Sequence, residues 1–156
     1  MPVQEAIEMP KPQIKPFPHF YEVSLANEGH PWSVLTSSSR REIVGGAPTE
    51  FGGKDQWWSP EHLLLSAVSL CLSTTFQAFA RKKDLHYAGY RSLVKGILDK
   101  SRSGPIFSSI VLSVEMEVET AQQESARALL EEAKRHCIVA NALNTPVDLR
   151  LVVKSR

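Results

Sequence analysis

Residues 59–83 read SPEHLLLSAVSLCLSTTFQAFARKK, and the rest of the chain is organised around them. Ser59 is a favoured N-cap, Pro60 suits the first helical position because its missing N–H has no intrahelical partner there, and Glu61 meets the positive end of the helix dipole. Arg81, Lys82 and Lys83 set positive charge against the last carbonyls. Leu63, Leu64, Leu65, Ala67, Val68, Leu70, Leu72, Phe76, Ala78, Phe79 and Ala80 fall on every face of the helix. A helix apolar all round is expected to be enclosed by protein. A membrane span is the competing reading, opposed by Ser66, Ser69, Ser73, Thr74, Thr75 and Gln77, which interrupt the apolar run.

Outward from this helix the pattern is mostly that of strands. Tyr21, Val23 and Leu25 alternate with Glu22, Ser24 and Ala26, and Asn27, Gly29 and Pro31 supply turn chemistry. Second and third strands are expected over 32–36 and 41–44, followed by a Gly- and Pro-containing loop over 45–55. After the helix, 90–100 reads as a strand, 101–105 as a turn, and 106–118 as the clearest alternation in the chain. Thr120 and Gln123 have capping-box spacing, and Ala126, Leu130, Ala133 and Cys137 recur at steps of four, three and four, which predicts a second helix with Cys137 on its inner face. Residues 147–153 form a last strand.

The order is therefore βββαββαβ, an α+β fold with a mainly antiparallel sheet around a long central buried helix. Residues 1–18 carry five prolines and read as an arm, either loosely ordered or strapped onto a partner subunit, ahead of a single domain over 19–156.

The chain has 156 residues, 42% hydrophobic and 22% charged, with a formal net charge of +1, so neither a basic nucleic-acid footprint nor a disulfide scaffold is expected. The N-terminus lacks the basic and apolar regions of a secretory signal, and two cysteines suit a reducing compartment, which predicts a cytoplasmic protein. There is no Gly-rich phosphate loop, GxSxG, HExxH or paired Cys/His spacing, and the five histidines are scattered; neither metal nor cofactor is expected.

Thiol chemistry remains. Alone, Cys71 reads as core, since unpaired cysteine behaves as a small hydrophobe. A reactive Cys71 would need a cation or several donors beside it, because apolar burial opposes ionisation. An arginine held by the Glu61 carboxylate would meet that need. Glu61 lies ten residues before Cys71, about 15 Å along one helix. Either the helix starts after Glu61, or a second copy packs antiparallel and brings its own Glu61 to Cys71; an all-round apolar helix favours the dimer.

The stretch EFGGKDQWWSPEHLLLSAVSLC over 50–71, followed by HCIVANAL over 136–143, resembles the OsmC/Ohr family of thiol-dependent peroxidases, across nearly the whole domain. The resemblance implies an intertwined homodimer that reduces organic hydroperoxides to alcohols. It implies Cys71 as peroxidatic cysteine, Cys137 as resolving cysteine and Glu61 as carboxylate partner, with recycling by a dithiol, often a lipoyl group. The family's activating arginine has no clean match, Arg40 and Arg41 being the nearest substitutes, and Ile138 stands where a proline usually follows the second cysteine. Trp57, Trp58 and Phe51 are candidates to line an apolar substrate pocket. The alternative is a non-enzymatic dimer of the same fold that binds a small apolar ligand.

Overall fold

The computed structural model describes residues 13–156; most of the proline-rich arm therefore lies outside the described residues. Three short strands come first, β1 (Ser24–Ala26), β2 (Trp32–Thr36) and β3 (Ile43–Gly46), paired in order as an antiparallel sheet. The long helix α1 (Pro60–Lys82) follows, then β4 (Tyr87–Ser101) and β5 (Gly104–Val118), two long antiparallel strands. Helices α2 (Gln123–Arg135) and α3 (Ile138–Asn141) lead into β6 (Val147–Ser155), which adds to β5.

The α+β class and the element order expected from the sequence hold, with four corrections. The strands form two three-stranded sheets rather than one, and β6 runs parallel to β5 because α2 and α3 form a helical crossover between them. A short helix, α3, is added after α2. The Thr120–Gln123 capping box does not form: residues Thr120–Gln122 make a single 3₁₀ turn, and the Thr120 hydroxyl pairs instead with that of Ser155 on β6.

Helix α1 begins as its sequence dictates. Ser59 is fully buried, and its Oγ accepts a hydrogen bond from the backbone N–H of His62 at 3.2 Å. The far end is closed by a Schellman motif without glycine: Leu85 N–H donates to the Ala80 carbonyl at 2.9 Å and Asp84 N–H to that of Arg81, with Asp84 left-handed at φ 53°. Buried Leu85 supplies the accompanying apolar contact.

Within the chain this helix is not enclosed on every side. Val68, Leu72, Phe76 and Ala80 form one fully buried stripe at helical spacing, whereas Leu70 remains 65% exposed. A single three-stranded sheet covers only one face of a helix, and α2 and α3 cover part of another. By length and composition α1 would also pass as a membrane span, yet its buried stripe packs into the domain core with Ile110, Leu112, Val114, Met116 and Val118 of β5. Ala126, Leu130 and Ala133 of α2, three of the four residues whose spacing predicted its inner face, close this core together with Leu129.

The first sheet stands apart from that core. It is tied to the start of α1 by a parallel bridge between Gly45 and Trp58, in which Gly46 N–H donates to the Trp58 carbonyl at 3.0 Å. Glycine is required here by close approach: a Cβ on Gly46 would lie 2.6 Å from the Trp57 ring, and one on Gly53 would meet the Ala47 carbonyl oxygen at 1.6 Å. The loop thus delivers both tryptophans to the N-terminus of α1.

Candidate active site

Helix α1 presents Cys71 beside its buried stripe, partly exposed, while Cys137 arrives from the other side at 1% exposure. Cys137 is not on α2 as its spacing suggested. The helix ends at Arg135, His136 is its C-cap, and Cys137 takes an extended conformation (ψ 101°) as the residue before α3. The backbone break turns its side chain back into the core, where the two free thiols lie within hydrogen-bonding reach. Burial pushes the Cys137 thiol up, the backbone at Ala140 draws it partly down, and the neighbouring Cys71 raises it again. Cys137 therefore rests as a protonated thiol. Two neighbouring thiols, one partly accessible and one enclosed, can attack an electrophile and then close a disulfide.

Glu61 sits in the first turn of α1, and the helix runs unbroken from Pro60 to Lys82. Glu61 and Cys71 of one chain are therefore about 15 Å apart along it. A start after Glu61 is excluded. The Glu61 carboxylate is partly buried, and its Oε2 has no hydrogen-bond partner among the described residues. A buried carboxylate oxygen without a donor is costly, and the described residues offer this one neither a cation nor a donor.

Arg40 and Arg41 do not supply it within the chain. Both lie exposed between β2 and β3, and neither forms an ion pair with Glu61. Trp57 and Trp58 line a cavity of about 260 Å³ with Asp55, Gln56 and His62, and the Lys54 ammonium stands 5.7 Å above the Trp57 ring. Phe51, 58% exposed, is not among the lining residues. A larger cavity, about 360 Å³, lies between Lys83, Leu85 and the outer side of α2. It is lined by neither cysteine. Among the described residues no group of three metal-ligating side chains converges.

Sequence reading passed over a polar layer between α1 and β4. Ser69, two residues before Cys71, is hydrogen-bonded to Ser92 at 2.6 Å, and the Tyr90 ring stacks on Phe76 at 5.9 Å. The Tyr90 hydroxyl is buried without a hydrogen-bond partner among the described residues. The alternation of Tyr90, Ser92 and Val94 along β4 was the available signal for an inward face.

An OsmC-like protein family profile matches residues 53–152. An OsmC-like protein of unknown function from Vibrio cholerae O1 biovar eltor superposes with a TM-score of 0.77 at 17% identity, over 86% of this chain and 99% of its own. An OsmC-like protein from Mycoplasma pneumoniae gives 0.73 at 16% identity, over 88% and 99%. An organic hydroperoxide resistance protein from Elizabethkingia anophelis, with crystallant-derived thiocyanate bound, gives 0.72 at 17% identity, over 90% and 99%. At these identities the structures share a fold. No match was found among curated proteins.

Proposed function

The chain belongs to the OsmC-like protein family, and from that premise we propose that it is a thiol-dependent peroxidase that reduces organic hydroperoxides to alcohols. The observation that carries the reading is the meeting of Cys71 on α1 with the enclosed Cys137. The Cys71 thiolate attacks a peroxide oxygen, the O–O bond breaks, and the leaving alkoxide takes a proton to become the alcohol. Cys71 is left as a sulfenic acid. The Cys137 sulfur then attacks the Cys71 sulfur, forming the disulfide as the S–O bond breaks and hydroxide leaves, protonated to water. Recycling takes two electrons from a dithiol, a lipoyl-type reductant being the family expectation. A reducing, cytoplasmic setting suits two free thiols.

A homodimer fits the surfaces left open. Leu25, Ile43 and Val44 of the first sheet are exposed, as are Leu93 and Ile97 of β4 and Ile106 of β5, the last two where the hairpin runs beyond the end of β6. A small sheet with no core of its own is marginal in water. A second copy would cover these residues and offer the unpartnered Glu61 oxygen a donor, with Arg40 and Arg41 the candidate cations. The protein is expected to sediment as two chains, with thermal stability that falls on dilution and a Leu25→Asp variant that dissociates. A monomer whose melting is independent of concentration would remove the dimer.

Single-turnover oxidation by an organic hydroperoxide tests the enzyme reading and the cation together. The parent should consume one equivalent, and Arg40→Ala or Arg41→Ala should slow it by about tenfold or more, the effect of losing one charge-assisted contact. Equal rates in both variants would free the arginines of this role. Failure of the parent to consume peroxide would favour an OsmC-like dimer that binds a small apolar ligand.

A further inference from the structure

We infer that the cavity between the C-terminal end of α1 and the flank of α2 binds a small zwitterion with an apolar side chain, of the free α-amino acid type. The inference does not rest on the peroxidase reading, since neither cysteine lines the cavity.

The cavity, about 360 Å³, has the size of small-molecule sites. On one side Gln122 closes the 3₁₀ turn before α2, and Ser125, Leu129 and Glu132 follow at three, four and three residues, so one continuous helix face forms the wall. On the other side stand Lys83, the C-cap of α1, and Leu85. Leu85 and Leu129 are buried and give the cavity an apolar floor. Both walls are held by the fold itself, Leu85 through its hydrogen bond to the Ala80 carbonyl and α2 through Ala126, Leu130 and Ala133 in the core.

The polar groups around this floor are opposite in sign and unpaired. Lys83 and the partly buried Glu132 line one cavity from its two walls, yet neither forms an ion pair among the described residues, whereas Asp84 and Glu124 nearby are taken by His86 and Arg127. Gln122 adds an acceptor: its Oε1 is buried with no donor among the described residues. A carboxamide turns about its last torsion at small cost, so a ligand N–H at this wall can take up the oxygen. Two acceptors, Glu132 and Gln122, call for a ligand ammonium, and the Lys83 ammonium calls for a carboxylate. The Ser125 hydroxyl serves either. A molecule carrying only one of these charges would leave the opposite wall without its counter-charge. An apolar side chain between them takes the Leu85 and Leu129 floor out of water.

L-Leucine is the probe. Titrated into the reduced full-length protein and followed by backbone amide NMR, it should bind saturably at roughly millimolar concentration, with shifts confined to residues 83–85 and 122–132. 3-Methylbutylamine, which lacks the carboxylate, and 4-methylpentanoate, which lacks the ammonium, should each bind about tenfold more weakly, the loss of one charge-assisted contact. Lys83→Met should weaken leucine and 4-methylpentanoate by about tenfold and leave 3-methylbutylamine unchanged, and Glu132→Gln should weaken leucine and the amine but not the acid. A merely collapsed cavity would weaken all three probes alike. No saturable shift at these amides by about 50 mM leucine, or equal binding of the three probes to the parent protein, would overturn the inference. So would leucine binding that both variants leave untouched. The probe comparison on the parent decides the matter alone if a variant misfolds.

Discussion

Cys71→Ser is expected to lower organic hydroperoxide consumption by at least about a thousandfold, because the nucleophile is removed and a serine hydroxyl is not ionised near neutral pH. The loss should come without unfolding. Cys71 is only partly buried and serine is close in volume, so thermal denaturation should move little. Cys137→Ser should behave differently: the first oxidation survives, but sulfenic acid accumulates on Cys71 and is overoxidised by excess peroxide. Stopped-flow peroxide consumption with mass measurement of the intact chain separates the two variants. Because Cys137 is held as a thiol by its burial, closure should quicken as pH rises from neutrality toward its raised pKa. Residual consumption by Cys71→Ser at a tenth of the parent rate would place the chemistry elsewhere.

Phe76→Ala is expected to cost about 3–5 kcal/mol, the cost of emptying a large buried aromatic site. Phe76 is fully buried and meets Tyr87 at 5.4 Å and Tyr90 at 5.9 Å, so its loss opens a cavity between α1 and β4 that neither ring can fill without leaving its strand. For a chain of this size the melting temperature should fall by roughly 6–20 °C. Chemical denaturation at one fixed protein concentration checks it, since association would otherwise enter the result. A loss below about 1 kcal/mol would mean that α1 is not seated on β4 through this residue.

Much of this fold could be read from particular residues. Ser59, Pro60 and Glu61 mark the start of α1 at the observed position, and the alternation from Ile110 to Val118 is the buried face of β5. The end of α1 was less legible, because Asp84 takes a left-handed place where glycine is the usual sign. Spacing carried Cys137 onto α2, since periodicity registers which face a residue would share but not a backbone break between Arg135 and Cys137. Strand direction was hidden for the same kind of reason. Alternation is identical in parallel and antiparallel strands, and only the helical crossover between β5 and β6 fixes their relation.

Of the site, the types of group were legible and their meeting was not. Two cysteines and a carboxylate pointed to thiol chemistry, but their separation along the chain said nothing about contact. The unpartnered Glu61 oxygen and the buried Tyr90 hydroxyl are properties of packing. Glycine between β3 and α1 did carry a signal, since Gly46 at the end of β3 and Gly53 in the loop stand where any Cβ would collide with Trp57 or Ala47.

The central claim, that Cys71 and Cys137 act as a peroxidatic and resolving pair, is tested most directly by adding one equivalent of an organic hydroperoxide to the reduced protein. Non-reduced peptides are then mapped by mass spectrometry and the alcohol is quantified. The predicted result is one Cys71–Cys137 disulfide within each chain and one equivalent of alcohol. Both thiols still free beside unconsumed peroxide would contradict the claim.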